Sequence, residues 1–105
     1  MIQLLKSILG LGPKANFEEL IANGAQIIDV RSRGEFAGGH VKGSVNIPLD
    51  QLQTHLKKLN GHQHPIITCC ASGMRSGSAK SYLKSQGFKE VHNGGSWQNL
   101  TKYMK

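Results

Sequence analysis

The stretch "PIITCCASGMRS", residues 65–76, decides the fold because it runs through three local patterns in succession. It begins with a short β-branched and apolar run, which is typical of a buried strand. Small residues around Gly73 follow, and the segment 75–86 then has the pattern of a helix that ends at Gly87. The stretch therefore predicts a strand, a loop and a helix in direct succession.

The rest of the chain shows the same alternation of short strands and helices. Strands are predicted at residues 26–30, 45–47, 65–70 and 90–93, and helices at 16–24, 50–61, 75–86 and 96–104. This alternation indicates an α/β domain with a largely parallel sheet. Sites in such sheets form at the carboxyl ends of the strands, which is where the loop after residue 70 lies.

The segment "DQLQTHLKKLNG", residues 50–61, carries the clearest helix signals. Asp50 and Gln53 have the spacing of a capping-box pair, and the dipeptide Asn60-Gly61 is a stop signal. The leucines between these signals fall on one face. A regular helix that packs on the sheet is therefore predicted here.

The composition describes one small domain with a basic surface. The chain has 105 residues, enough for a single core, with a net charge of +7 and a pI of about 9.7. Such a charge favours anions near the active site or acidic protein partners. The lysines show no aromatic–basic pattern, so nucleic acid is not a predicted partner. Two cysteines are too few for a disulfide framework, which predicts free thiols and a cytoplasmic location.

Residues 1–13 form a separate N-terminal segment, and residues 14–105 the predicted domain. Ile2, Leu5 and Leu9 share a helical face, so the segment is predicted to be an amphipathic extension. It lacks a basic start and a small-residue cleavage site, and it is too short to span a bilayer. We expect it to dock on the domain rather than on a membrane.

The loop that begins at Cys70 has the features of a nucleophile's binding site. Between a strand and a helix, backbone N–H groups can converge on one point, and the helix dipole adds positive potential there. A thiol at that point has a lowered pKa and becomes a good nucleophile. We therefore predict Cys70 as the catalytic residue, in an active-site loop completed by Ala71, Ser72, Gly73, Met74 and Arg75.

Each loop residue has a predicted reason for its type. Gly73 allows a backbone conformation that a side chain resists, and the small residues Ala71 and Ser72 leave the mouth open. Arg75 can orient an anionic substrate or hold the loop by hydrogen bonds. Cys69 is predicted to be a packing residue, because adjacent strand residues point to opposite faces of the sheet.

Three ordered motifs resemble the single-domain rhodaneses. They are "IIDVRSRGEFAGGHVKGSVNIPLDQL" at residues 27–52, "CASGMRS" at 70–76 and "SYLKSQGFKEVHNGG" at 81–95. The second corresponds to the family's active-site pattern C-x-x-G-x-R-S. The resemblance extends from about Asn16 to Trp97, and several motifs in the right order are more specific than the loop alone.

The resemblance implies an α/β, rhodanese-like three-layer domain with a five-stranded, mainly parallel sheet flanked by helices. It implies that Cys70 takes the outer sulfur of a small anionic donor such as thiosulfate, and carries it as a persulfide. A thiol, cyanide or protein acceptor then removes that sulfur, and no metal or organic cofactor is required. Asp29 and Arg31 are predicted supporting residues. Arg31 could pair with Glu35, and Asp29 could accept hydrogen bonds from the active loop.

Other motif residues are predicted to be structural. The resemblance makes His40 a turn residue, and Trp97 is expected to pack in the core. His62 and His64 lack a third ligand, so no metal site is predicted. The "GGSW" sequence brings Trp97 closer to the glycines than is usual in the family, which implies a shortened or displaced final helix. Residues 71 and 72 carry no charge, whereas rhodaneses that prefer thiosulfate often have basic residues there. The resemblance therefore implies that thiosulfate is a poor or surrogate donor.

Two alternative functions remain open at the level of the sequence. Phosphatases and arsenate reductases related to rhodaneses need five residues between cysteine and arginine, a count that Cys69 supplies with Arg75. Their loop usually has histidine before the cysteine, whereas Thr68 stands here. A sulfur-carrier or regulatory module with little turnover of small molecules would use the same Cys70 chemistry.

Overall fold

The computed structural model describes residues 16–59 and 64–104. Its strands are β1 (Gln26–Asp29), β2 (Val45–Asn46), β3 (Ile66–Cys70) and β4 (Val91–Ser96). Its α-helices are α1 (Phe17–Ala22), α2 (Arg33–Ala37) and α3 (Met74–Ser85). Short 3₁₀ segments occupy Leu49–Gln51, Gln53–Lys58, Trp97–Asn99 and Thr101–Tyr103.

The sheet is parallel throughout and has the order β2-β1-β3-β4. All five residues of β3 are buried, as expected for a central strand with both faces covered. The predicted α/β class and parallel sheet are thus confirmed. The resemblance implied five strands, and the sheet has four within the described ranges, so that count is wrong for this part of the chain.

Two layers of side chains cover the sheet, one on each face. Alternation along β3 sends Ile66 and Cys70 into the layer that contains Ala79 and Leu83 of α3. Ile67 and Cys69 point into the other layer, which packs against α1 and the C-terminal turns. Each fully buried isoleucine contributes roughly 1.5–3 kcal/mol to the hydrophobic stabilisation of this arrangement.

The predicted helix at 50–61 is replaced by two 3₁₀ segments, Leu49–Gln51 and Gln53–Lys58. Neither has a side-chain cap, so the predicted capping pair does not form. The buried Leu52 and Leu59 each follow another leucine by three residues, and side chains at that spacing are aligned in a 3₁₀ helix. The predicted stop at residues 60 and 61 lies outside the described residues.

The C-terminal segment also forms 3₁₀ turns instead of the predicted helix at 96–104. Backbone bonds join Leu100 N to Trp97 O at 3.0 Å and Tyr103 N to Leu100 O at 3.1 Å. These three side chains belong to the same core layer, with Leu100 fully buried. A spacing of three residues again brings them to one face. The sequence implied a shortened or displaced final helix, and the segment instead forms the 3₁₀ turns Trp97–Asn99 and Thr101–Tyr103.

The remaining helix boundaries follow their capping signals closely. The side chain of Asn16 accepts a hydrogen bond from the N–H of Glu19 at the start of α1. Beyond α3, Gly87 has φ +98°, and the N–H of Phe88 donates to Leu83 O at 3.2 Å. None of the helices in the described residues is long and apolar enough to cross a membrane. The predicted extension at 1–13 lies outside those residues.

Candidate active site

The loop between β3 and α3 turns at Gly73. This residue has φ +101°, in the left-handed region that favours glycine, and it immediately precedes the first residue of α3. Its backbone also lies close to β4, since a Cβ built there would be 3.5 Å from the Cα of Gly95. The turn brings the first amides of α3 back over the end of β3.

The Sγ atom of Cys70 lies at the point where those amides converge. The N–H of Gly73 donates to it at 2.9 Å, and the N–H of Ser76 at 3.4 Å. The Ser76 Oγ lies 3.3 Å from the same sulfur. The short loop and the first turn of α3 thus direct N–H groups at one point, as expected from the sequence.

These contacts favour the thiolate form of Cys70. Burial raises the pKa of its thiol, but the hydrogen bond with the Ser76 hydroxyl and those from the loop N–H groups outweigh burial. The pKa of Cys70 is therefore below its ordinary value. A thiol with this environment is a stronger nucleophile at neutral pH than an ordinary cysteine.

Cys69 has the opposite environment. Its side chain is buried in the layer that holds Ile67 and Leu100, on the face of the sheet away from Cys70. Burial, followed by the negative charge of Asp29, raises the pKa of Cys69 to about 12. The predicted division between a packing cysteine and a loop cysteine agrees with this arrangement.

Ser76 contacts the Cys70 sulfur, and it is not among the site residues predicted from the sequence. It is fully buried, and its carbonyl accepts a hydrogen bond from Thr68 Oγ1 at 2.8 Å. Its hydroxyl donates to Asn93 Oδ1 at 2.6 Å. A serine in the first turn of a helix that follows a cysteine loop was the available signal, because its N–H and hydroxyl can both turn toward the loop.

Arg75 is held at the edge of the loop by Glu35. The guanidinium makes two hydrogen bonds to the carboxylate, at 2.8 and 3.0 Å, and both side chains are about 40% exposed. The bond from Arg75 lowers the pKa of Glu35 to about 2. Glu35 also closes a capping box with Ser32 at the start of α2. Of the two roles predicted for Arg75, this geometry favours holding the loop.

Asp29 and Arg31 form a buried ion pair of their own. Arg31 Nη2 lies 2.7 Å from Asp29 Oδ2 and also donates to the carbonyl of Gly39 at 2.7 Å. Its guanidinium lies over the Trp97 ring, 4.8 Å from the centroid. The predicted pairing of Arg31 with Glu35 is wrong. So is the predicted contact of Asp29 with the active loop, because its carboxylate hydrogen bonds within the described residues come from Arg31.

A groove opens beside the loop at the carboxyl ends of β1 and β2. It has a volume of about 510 Å³ and is lined by Val30, Ser32, Pro48, Leu49, Asp50 and Arg75. At the mouth of the loop, Met74 is 80% exposed, and Ala71 and Ser72 are also exposed. The surface next to Cys70 is thus largely apolar or uncharged.

Within the described part of the chain, the histidines are not placed to bind a metal ion. His40 Nδ1 lies 2.7 Å from the carbonyl of Phe36, and its ring stacks on the Phe36 ring, in agreement with the predicted structural role. His64 is exposed, and His62 lies outside the described residues. Residues 16–59 and 64–104 contain no group of three or more potential ligands placed to hold a metal ion.

Sequence comparison relates the chain to sulfur-handling proteins. The profile of the rhodanese-like domain matches residues 14–101. The chain is 37% identical over 76 residues to thiosulfate sulfurtransferase GlpE of Ectopseudomonas mendocina, covering 72% of this chain and 69% of GlpE. It is 41% identical over 69 residues to the uncharacterized protein YqhL of Bacillus subtilis, covering 66% of this chain. The match spans about half of YqhL, 54% of its length.

Structural comparison gives the same relationship. A human single-domain sulfurtransferase, TSTD1, has a TM-score of 0.69 at 27% identity, with 87% of this chain and 96% of that chain covered. A rhodanese with anions from E. coli has a TM-score of 0.68 at 28% identity, with 72% of this chain and 91% of that chain covered. The similarity therefore extends over nearly the whole of each neighbour.

Proposed function

The chain belongs to the rhodanese-like domain family, and from that premise we propose that it is a sulfurtransferase that carries sulfur as a persulfide on Cys70. One observation carries the proposal. The Cys70 sulfur accepts hydrogen bonds from the N–H groups of Gly73 and Ser76. These donors stabilise negative charge at the position where a thiolate reacts and a persulfide anion forms.

The proposed reaction has two steps. The Cys70 thiolate attacks the outer sulfur of a donor, the donor's sulfur–sulfur bond breaks, and the leaving group departs with that electron pair. With thiosulfate as donor, the products are the Cys70 persulfide anion and sulfite. An acceptor thiolate or cyanide then attacks the outer sulfur and releases the Cys70 thiolate. Every bond that changes involves sulfur, so the cycle needs no metal or organic cofactor.

The surroundings of the loop support an organic donor more than thiosulfate. Ala71 and Ser72 present no charge at the mouth, and the Arg75 guanidinium is already bonded to Glu35. A small dianion would thus meet little unpaired positive charge. The groove beside Arg75 has room for a molecule much larger than cyanide. We therefore propose a persulfide donor and a thiol acceptor, with thiosulfate as a weak substitute.

A sulfur-carrier role is the second candidate. The chain is 40% identical over 67 residues to the putative sulfur carrier protein YrkF of Bacillus subtilis, of which the match covers 36%. The exposed Met74 at the mouth of the loop is an apolar contact of the kind that protein partners use. Such a module would load Cys70 in the same way and release its sulfur only to a partner protein.

The phosphatase alternative has little support. It needs the Cys69 thiol to face the loop, whereas that thiol lies in the opposite layer and has its pKa raised to about 12. We also propose a cytoplasmic location, because both cysteines are free thiols and the domain has no disulfide among its described residues. Fractionation of cells that express the protein tests this location.

Peptide mapping by mass spectrometry tests the main proposal. The protein is incubated with thiosulfate or an organic persulfide, digested without reductant and mapped. We expect a gain of one sulfur atom on the peptide at Cys70, lost on treatment with a thiol. Cys69→Ser should load normally, and Cys70→Ser should not load. Sulfur on Cys69, or loading of a folded Cys70→Ser variant, would disprove the assignment. Release to cyanide distinguishes an enzyme from a carrier, which should require a protein acceptor.

A further inference from the structure

The strand β4 has an irregularity beside the active loop. In the pairing with β3, Thr68 is opposite Asn93 and Cys70 is opposite Ser96, so β4 has one more residue than β3 across this interval. This is a β-bulge, a feature that redirects the side chains around it. The bulge is tightly seated, because a Cβ at Gly94 would lie 2.8 Å from Ile67 Cγ2.

The bulge directs the Asn93 side chain toward the active loop, and both ends of its amide are bonded. Its Oδ1 accepts from the Ser76 hydroxyl at 2.6 Å and from the N–H of Gly95 at 2.9 Å. Its Nδ2 donates to the carbonyl of Gly73 at 3.1 Å. Asn93 has no hydrogen bond to the Cys70 sulfur, but it is bonded to Gly73 and Ser76, whose N–H groups donate to that sulfur.

We propose that Asn93 is a positioning residue that holds the Gly73 peptide, and with it the active loop, in the arrangement that stabilises the Cys70 thiolate. The inference deepens the proposed function, on which it rests for the use of that thiolate. The amide fixes the Gly73 peptide on its carbonyl side in both charge states of Cys70, and it fixes Ser76 through the hydroxyl while Cys70 is a thiol. Loss of either bond frees one of the donors that surround the sulfur.

An amide suits this position because the Ser76 hydroxyl has one proton to share. When Cys70 is a thiol, its S–H can donate to Ser76 Oγ while the hydroxyl donates to Asn93. When Cys70 is a thiolate, the hydroxyl can turn to the sulfur, and Asn93 Oδ1 keeps the bond from Gly95. Asn93 therefore remains bonded in both charge states, and a carboxylate in its place could not donate to the Gly73 carbonyl.

A paired set of variants isolates this effect. In the Ser76→Ala background the hydroxyl is absent, so Asn93 can act on the sulfur only by holding the backbone of the loop. The rate of alkylation of Cys70 by iodoacetamide is measured against pH for Ser76→Ala and for Ser76→Ala/Asn93→Ala. We expect the double variant to have the higher thiol pKa and about threefold slower alkylation at pH 7, the loss typical of one hydrogen bond. Identical pH profiles for the two proteins would overturn the proposal.

Two further variants separate positioning from general damage. Asn93→Asp in the otherwise unchanged protein should raise the pKa of Cys70 above its value in that protein, because the carboxylate retains the Ser76 proton and adds negative charge. Asn46→Ala is the matched control. Its amide also donates to backbone carbonyls, those of Asp29 and Arg31, but at the end of β1. Asn46→Ala should lower the melting temperature without moving the alkylation profile. If Asn46→Ala and Asn93→Asp moved the alkylation profile equally, the specific role of Asn93 would be refuted.

The experiment is independent of sulfur transfer. Alkylation needs no donor or acceptor, so a role of Asn93 in thiol acidity can be established even if Cys70 takes up no sulfur. Conversely, persulfide formation with an unchanged alkylation profile would support the proposed function and reject the role of Asn93. The pKa comes from the midpoint of each profile, which a change in access to the thiol does not move.

Discussion

Cys69 and Cys70 are neighbours on one strand, yet their thiols lie in different layers and have opposite acidity. Cys69 is surrounded by apolar side chains, and burial raises its pKa to about 12. Cys70 is equally inaccessible as a residue, but its sulfur accepts hydrogen bonds from the loop that follows it, and its pKa is lowered. Burial alone therefore does not decide whether a cysteine reacts. The acidity of a buried thiol depends also on the hydrogen-bond donors around its sulfur.

The largest expected effect is the selectivity of alkylation between the two thiols. At pH 8 we expect iodoacetamide to modify Cys70 at least about a thousandfold faster than Cys69, because little of Cys69 is thiolate at that pH. Peptide mapping after timed quenching measures both rates in one sample. In denaturant the two rates should become similar. If Cys69 and Cys70 were alkylated at similar rates in the folded protein, the contrast between the two thiols would be wrong.

Two glycine substitutions separate the environments of the two cysteines. Gly94→Ala would place a Cβ within 2.9 Å of Ile67 and Leu100, which pack in the layer of Cys69. It should lower the free energy of unfolding by about 3 kcal/mol, as overpacking does. Gly73→Ala should cost less, about 1–2 kcal/mol for a left-handed backbone.

The two glycine variants should have the reverse order of effects on the pKa of Cys70: the one that costs less stability should change this pKa more. Gly73→Ala should raise the pKa of Cys70, because the N–H at 2.9 Å from the sulfur is displaced. Gly94→Ala, where it folds, should change that pKa less. Urea denaturation measures the stabilities, and alkylation against pH measures the pKa. A Gly73→Ala variant with normal thiol acidity would contradict the importance assigned to the loop N–H groups.

Ser76→Ala tests the donor that the sequence reasoning missed. Removal of the hydroxyl 3.3 Å from the Cys70 sulfur should move the alkylation profile to higher pH, because its hydrogen bond with the thiolate is lost. The N–H of Ser76 remains as a weaker contact. Ser78→Ala serves as a control, since Ser78 is exposed on the same helix. An unchanged profile for Ser76→Ala would assign the acidity of Cys70 to the backbone alone.

The smallest expected effect concerns the ion pair between Glu35 and Arg75. The pKa of Glu35 is lowered from 4.5 to about 2 in the folded protein. The hydrogen bonds from Arg75, and after them those from Ser32, cause this lowering, so their stabilisation is complete above pH 4.5 and is lost as the pH falls toward 2. Glu35→Gln should remove this part of the pH dependence of the free energy of unfolding. The urea midpoint of the variant should therefore fall less between pH 5 and pH 2.5 than that of the unchanged protein. Parallel losses in the two proteins would show that the exposed pair adds nothing measurable.

The sequence predicted the elements that local pattern controls. The strand at 66–70, the glycine turn and helix α3 follow from β-branched residues, a left-handed position and helical spacing within a short segment. The division between Cys69 and Cys70 follows from the alternation of a strand. The helices predicted at 50–61 and 96–104 were wrong because apolar residues three apart fit a 3₁₀ turn as well as an α-helix.

The partners of the charged residues could not be predicted in this way. The spacing of Arg31 and Glu35 suggested a pair, but Arg31 precedes the N-cap of α2, so the rule for helix neighbours does not apply. Glu35 instead binds Arg75, forty positions away in the chain. The contact between Ser76 and Asn93 is also long-range. Neither pairing has a periodic signal, because tertiary packing creates it.

The order of the strands has a consequence for how the protein folds. Around Cys70, the loop and helix α3 are local, but β1, β4, Glu35 and Asn93 all join it from distant parts of the chain. Parallel pairings of this kind form slowly, because long loops must close before any contact is gained. We therefore expect a newly made chain to have an ordinary thiol at position 70 until β4 docks, and the acidic thiol to form late in folding.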